Sequence, residues 1–137
     1  MITPLRLARA AEELEGSPFR LHGRDPATGL DCIGLLSAAM AQAGQPIVLP
    51  SGYPWRLRDL SQWLPPPHSC GFSVARGPVR PGDAIMLQPG PAQFHLAIAA
   101  RGGRWVHAHA GLRRVVISAE LPVGEITAHW RLRRIRK

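Results

Sequence analysis

Cysteine is nearly absent: the 137 residues hold two, Cys32 and Cys70. Two thiols build neither a disulfide framework nor a Cys-x-x-Cys metal site, and one functional thiol beside one bystander is a natural division. Acidic side chains are also scarce, nine against 17 lysines and arginines, for a net charge of +8. A surplus of that size suits an acidic partner (nucleic acid, a phosphate-rich envelope, an anionic wall polymer) without choosing among them. No apolar run approaches the ~20 residues of a membrane-crossing helix. Arginines interrupt the opening Met1-Ile-Thr-Pro-Leu-Arg-Leu-Ala-Arg-Ala10, which therefore lacks the apolar core of a secretory signal. Synthesis in the cytoplasm is expected, and extracellular work would need another route out.

What the chain does hold is ordinary for a folded protein. Hydrophobic residues make up 45% and charged residues 19%, so one domain spanning 1–137 with one core is expected. Thr3-Pro4 reads as an N-cap followed by proline at the first helical position. Leu7, Ala8, Ala11 and Leu14 continue it as an apolar stripe that Gly16 stops. Residues 17–30 carry no period and read as loop. Asp31 can cap a second helix with Ile33, Leu36, Met40 and Ala43 on one face and Gly44 at its end. Residues 45–81 are rich in proline and glycine, with one short helix at Leu57–Leu64 before Pro65-Pro66-Pro67. Beyond Arg80-Pro81-Gly82-Asp83, strands are expected at Ala84–Leu87, Phe94–Ala100, Trp105–Ala110, Arg113–Ser118 and His129–Ile135. Helices first and an antiparallel sheet second is an α+β plan.

With Asp31 as the cap, Cys32 falls in the first turn of its helix. Free backbone N–H groups and the positive end of the helix dipole favour a thiolate there, and a lowered thiol pKa makes a cysteine nucleophilic near neutral pH. A small buried cysteine starting a core helix is the bland reading of the same position. The surrounding segments bear on the choice. Gly16-Ser-Pro-Phe-Arg20 and Gly29-Leu-Asp-Cys-Ile-Gly-Leu-Leu36 resemble the start of the NlpC family of papain-like cell-wall peptidases. That family has Gly-Thr-Pro-Tyr followed by Gly-x-Asp-Cys-Ser-Gly-Leu/Phe-Val. Pro81-Gly-Asp, His95-Leu-Ala-Ile and Trp105-Val-His-Ala resemble its Pro-Gly-Asp, His-Val-Gly-Ile and aromatic-Ile-His-Ala segments. The five occur in family order over roughly residues 14 to 120.

Carried over residue by residue, the resemblance implies a papain-like fold with Cys32 as nucleophile, His95 as base and His107 as the third, orienting residue. Two positions depart from the pattern. Ile33 stands where the family has a small residue and is expected to reshape the rim of the cleft. Leu21 and His22 stand near where the family has a tyrosine, and His22 can either supply that polar contact or sit in a solvated loop. Asp31, Ile33, His22 and His109 are accordingly the expected substrate-side residues.

Strand parity tests the histidine pairing. Arg101-Gly102-Gly103-Arg104 is a hairpin signal, and side chains alternate across a strand. A two-residue loop pairs Arg101 with Arg104 and turns His107 away from His95. A three-residue loop, Arg101–Gly103, pairs Ala100 with Arg104 and puts His95, Ala97, Ala99, Trp105, His107 and His109 on one face. Phe94, Leu96, Ile98 and Val106 then take the other, as a core requires. An odd loop is expected, with Gly103 left-handed and the small Ala97 and Ala99 letting the Cys32 helix approach. The same parity makes His109 a geometric rival of His107.

Other uses of these residues are weaker. His107-Ala-His109 with a cysteine matches no usual zinc spacing, and neither metal nor cofactor is expected. Cys70 has no catalytic context. The basic Trp130-Arg-Leu-Arg-Arg-Ile-Arg-Lys137 could bind nucleic acid, but its alternation fits a solvated edge strand better. The resemblance implies hydrolysis of peptidoglycan stem peptides, at or near the γ-D-glutamyl–diamino acid bond, with His95 acting as base or as the partner of a preformed thiolate. It also suggests a component of a phage tail or phage-derived particle, with neither membrane nor nucleic acid as partner. An idle binding or tail-assembly module of the same fold is the alternative.

Overall fold

The computed structural model describes residues 2–54 and 64–133. Helix α1, Pro4–Glu13, starts where Thr3 Oγ1 accepts the Arg6 N–H (3.1 Å) and buries Leu7, Ala8, Ala10 and Ala11. Helix α2, Cys32–Gln42, starts where the Asp31 carboxylate accepts the Gly34 N–H (2.8 Å). Most of α2 is buried, because it lies between α1 and the sheet. Residues 17–30, expected as loop, hold a two-stranded ribbon of β1, Arg24–Asp25, and β2, Gly29–Leu30. A Cβ on Gly34 would lie 1.9 Å from the Gly23 carbonyl oxygen, so glycine there lets the segment before β1 rest directly on α2.

The remaining strands form one antiparallel sheet: β3 Phe72–Val74, β4 Ala84–Gln88, β5 His95–Ala99, β6 Trp105–His109, β7 Arg114–Ser118 and β8 Glu125–Leu132, in the order β3-β8-β4-β5-β6-β7. Two helices with this sheet make the α+β, papain-like architecture expected from the sequence. Strand β3, three residues long, had no sequence signal of its own. Strand β8 is interior, paired with β3 on one side and β4 on the other, which corrects the edge-strand expectation. Its Arg131 holds the buried Asp83 carboxylate (2.8 and 2.9 Å), and Arg133, just past its end, donates to the His68 carbonyl (2.9 Å). Most of the helix expected at Leu57–Leu64, and the end of the last expected strand, lie outside the described residues.

The β5–β6 connection is odd. Arg101–Gly103 forms a single tight turn, the Ala100 N–H donates to the Arg104 carbonyl (2.8 Å), and Ala97, Ile98 and Ala99 pair with His107, Val106 and Trp105. Gly102 and Gly103 both take positive φ, +74° and +73°, conformations that cost a residue with a Cβ. The helices pack on the Leu96, Ile98, Val106 and Ala108 face. They do not approach Ala97 and Ala99, contrary to expectation, because the large apolar side chains claim the helix-facing side.

Candidate active site

The N-terminus of α2 is fastened through one carboxylate. Asp31, only 4% exposed, accepts the His22 N–H (2.9 Å), an Arg24 guanidinium N–H (3.1 Å), the Gly34 N–H and the Tyr53 hydroxyl. Cys32 follows it, 7% exposed, on the wall of a cleft of about 450 Å³ that His95 and His109 also line.

The helix end does not produce a thiolate. Burial, then the neighbouring Asp31 charge, pushes the Cys32 thiol up to about 12, outweighing the Leu96, Ile33 and Cys32 N–H groups directed at the sulfur. The dipole argument considers only the helix, whereas desolvation comes from everything packed around it. Both neighbouring histidines shift the other way. Burial and the proximity of His107 and His109 bring His95 down to about 4, and burial and His109 do the same to His107. The site thus holds a neutral thiol beside neutral imidazoles at neutral pH.

Hydrogen bonding then fixes where the ring protons sit. Ser118 Oγ donates to the Glu120 carbonyl (2.8 Å), so toward His107 Nε2 (3.2 Å) it accepts. The His107 proton is therefore on Nε2, and its Nδ1 accepts from His95 Nε2, 3.1 Å away. This leaves Nδ1 of His95 as its basic nitrogen. The order His95–His107–Ser118–Glu120 can orient a base and spread the charge it acquires.

His107, not its rival His109, bonds His95. His109 is exposed, its Nδ1 accepting the Leu112 N–H (3.0 Å), with its proton on Nε2 at the cleft surface. Two expected rim residues lie elsewhere. Ile33 is fully buried and packs in the core, since the second position of α2 points inward rather than at the cleft. His22 is outside the cleft lining, its ring Nε2 donating to the Tyr53 carbonyl (2.7 Å). Asp31 reaches the cleft, but its oxygens are taken up by the cap network. Among the described residues no three His, Cys, Asp or Glu side chains are grouped to hold a metal ion.

Two participants lacked a signal strong enough to single them out. Tyr53, from the proline- and glycine-rich segment, meets Asp31 and packs edge-on against His22 and Phe94 (ring centroids 4.6 and 5.7 Å). Nothing local marks it. Ser118 did have a faint signal, a hydroxyl at the end of an expected strand. Its partner across β6 is Trp105 and that of Val116 is His107, so parity places Ser118 on the histidine face.

Residues 16–130 match the NlpC/P60 family. Protein P54 of Enterococcus faecium is 28% identical over 93 residues, 68% of this chain. The chain spans only 16% of that protein's length. Among solved structures, NlpC2 from Trichomonas vaginalis superposes with a TM-score of 0.68 at 15% identity, over 96% of this chain and 46% of that one. The NlpC/p60 domain of the peptidoglycan hydrolase SagA superposes with a TM-score of 0.60 at 24% identity, covering 91% and 97% of the respective chains. At these identities the structural likeness speaks for the fold.

Proposed function

The chain belongs to the NlpC/P60 family, and on that premise we propose that it is a cysteine peptidase cutting peptidoglycan stem peptides, at the γ-D-glutamyl–diamino acid bond, through Cys32, His95 and His107. The observation that carries this reading is the hydrogen-bonded series from His95 to Glu120, because it sets the tautomer a general base needs.

Since the free thiol is protonated, the reaction starts by general-base catalysis rather than from an ion pair. As the Cys32 sulfur bonds to the carbonyl carbon, its proton passes to Nδ1 of His95. The oxyanion that forms is met by the backbone N–H of Cys32 at the start of α2. His95 is now an imidazolium, and its Nε2–H donates to the neutral His107 Nδ1, which holds the ring in plane and disperses its charge toward Ser118. The proton on Nδ1 goes to the leaving nitrogen as the C–N bond breaks, giving a thioester. Water deprotonated by the same nitrogen hydrolyses it and returns the thiol. His109 Nε2–H is placed to donate to a substrate carbonyl, and Asp31 positions the nucleophile by holding the helix end. Service in a phage tail or phage-derived particle accords with this activity and is part of the proposal.

Incubation with purified muropeptides, read by mass spectrometry, tests it. The intact protein is expected to release products split at the named bond, and Cys32→Ala and His95→Ala to release none. If the intact protein yields no product and its thiol resists iodoacetamide even at alkaline pH, the chain is an idle binding module of the same fold.

A further inference from the structure

Resting on the peptidase reading, we infer that Arg114 selects for a carboxylate on the leaving side of the scissile bond. Two clefts meet at Pro89, His95 and His109. Cys32 lines the one of about 450 Å³, while the other, about 900 Å³, lies past the imidazoles and includes His107 and Arg114. A bond attacked by Cys32 has its carbonyl at the sulfur and its nitrogen at the His95 ring that protonates it. The chain beyond that nitrogen therefore runs into the larger cleft.

The two clefts differ in charge. Among the described residues, the Cys32 cleft is walled by apolar groups such as Phe19, Leu21 and Phe94 and has no arginine or lysine. Arg114 is the one arginine or lysine lining the larger cleft. It pairs with His109 across β6 and β7, so the two side chains rise from the same face as neighbours. The Arg114 side chain is exposed and makes no hydrogen bond or ion pair with any described residue. Its planar fork suits bidentate capture of a carboxylate.

The opposite charge is close by. Gly16 donates its N–H to the Val115 carbonyl (2.9 Å), which brings Glu15, another residue of this cleft, alongside β7 without an ion pair to Arg114. Glu120 lines the same cleft beyond the far end of β7. A leaving residue whose side chain ends in both an ammonium and a carboxylate matches Glu15 and Arg114 together. A side chain ending in an ammonium alone uses only the first.

Two stem peptides identical except for meso-diaminopimelate or L-lysine at the leaving position test this. The intact protein is expected to prefer the diaminopimelate peptide about tenfold in kcat/KM, mainly through KM, as one charged hydrogen-bond pair implies. Arg114→Gln should lower kcat/KM for the diaminopimelate peptide about tenfold more than for the lysine peptide, with Arg114→Lys in between. Equal losses on both peptides, or no preference to begin with, overturn the inference. Calorimetry with Cys32→Ala protein reads the same preference without turnover. If no peptide is cut, a binding preference abolished by Arg114→Gln upholds the inference while the peptidase reading fails, and equal binding overturns it.

Discussion

At neutral pH Cys32 keeps its proton, and His95 and His107 carry no charge. The base must lose its proton above about 4 and the nucleophile keeps its own up to about 12. The free enzyme should then show a flat kcat/KM over neutral pH with an acid limb near 4, rather than the narrow bell of an ion pair. Alkylation of Cys32 by iodoacetamide should accelerate steadily through pH 8 to 10. A pH–rate profile falling below pH 6.5 would show that His95 is charged in the free site. Lowered histidine pKa values also make a statement about stability. Unfolded imidazoles, near 6.5, bind protons that the folded rings refuse until about 4, so stability falls as pH drops through that window. Urea midpoints measured between pH 7 and 4 should decline, and His107→Asn should flatten the decline. Ser118→Ala removes the acceptor that fixes the His107 tautomer and should lower kcat roughly fivefold, the worth of one modest hydrogen bond, with KM unchanged. The shifted thiol was not legible in the sequence, because desolvation is set by residues far from Cys32. The place of the thiol in the first turn of α2 was legible, because the cap that starts the helix, Asp31, is local.

The hairpin between β5 and β6 carries the site at the scale of elements. Its odd length is arithmetic within four residues, Arg101 to Arg104, so it could be read from sequence together with the apolar alternation of Leu96, Ile98 and Val106. With Gly103 deleted, a turn that keeps its three residues takes up Arg104 and shifts β6 by one, turning His107 away from His95. Such a variant should keep its helical circular dichroism and lose peptidase activity by roughly 10²-fold or more, the scale of an impaired general base. Gly34 carries a second constraint. A methyl group there meets the Gly23 carbonyl at 1.9 Å, and Gly34→Ala should cost about 1–3 kcal/mol in urea unfolding, as overpacked contacts do. Strand β3 and the position of β8 were illegible for the converse reason. Three residues give too short a period, and the partners of β8 lie some 40 to 60 positions upstream along the chain.

Across the whole molecule, Asp83 ties the sheet together. It is fully buried and accepts from His129 Nε2 (2.7 Å), Arg131 and the Arg80 N–H (2.9 Å). Burial works to raise its pKa, but Arg131, the Arg80 N–H and His129 together hold it below the usual carboxylate value. A depressed carboxylate stabilises above its unfolded pKa and gives that up as pH falls through the folded one, so this contribution fades at lower pH than the histidine effect. Asp83→Ala leaves the Arg131 guanidinium without its counter-ion and should cost about 3–5 kcal/mol, seen as a lower Tm. Pro81-Gly-Asp was visible as a motif, but its purpose became clear only once β8 lay beside β4.

That location of β8 has a consequence for timing. Strands β3 and β4 come off the ribosome well before residues 125–132, and neither can complete its hydrogen bonding until β8 slides between them. Helix α2 and the β5–β7 hairpins can organise from nearer neighbours. Distant pairings form slowly, so the last event in folding should be closure of the sheet around β8, with Asp83 waiting for Arg131 until then. The chain thus assembles its histidine pair early and gains the rigidity to hold it only once residues 125–132 have been made.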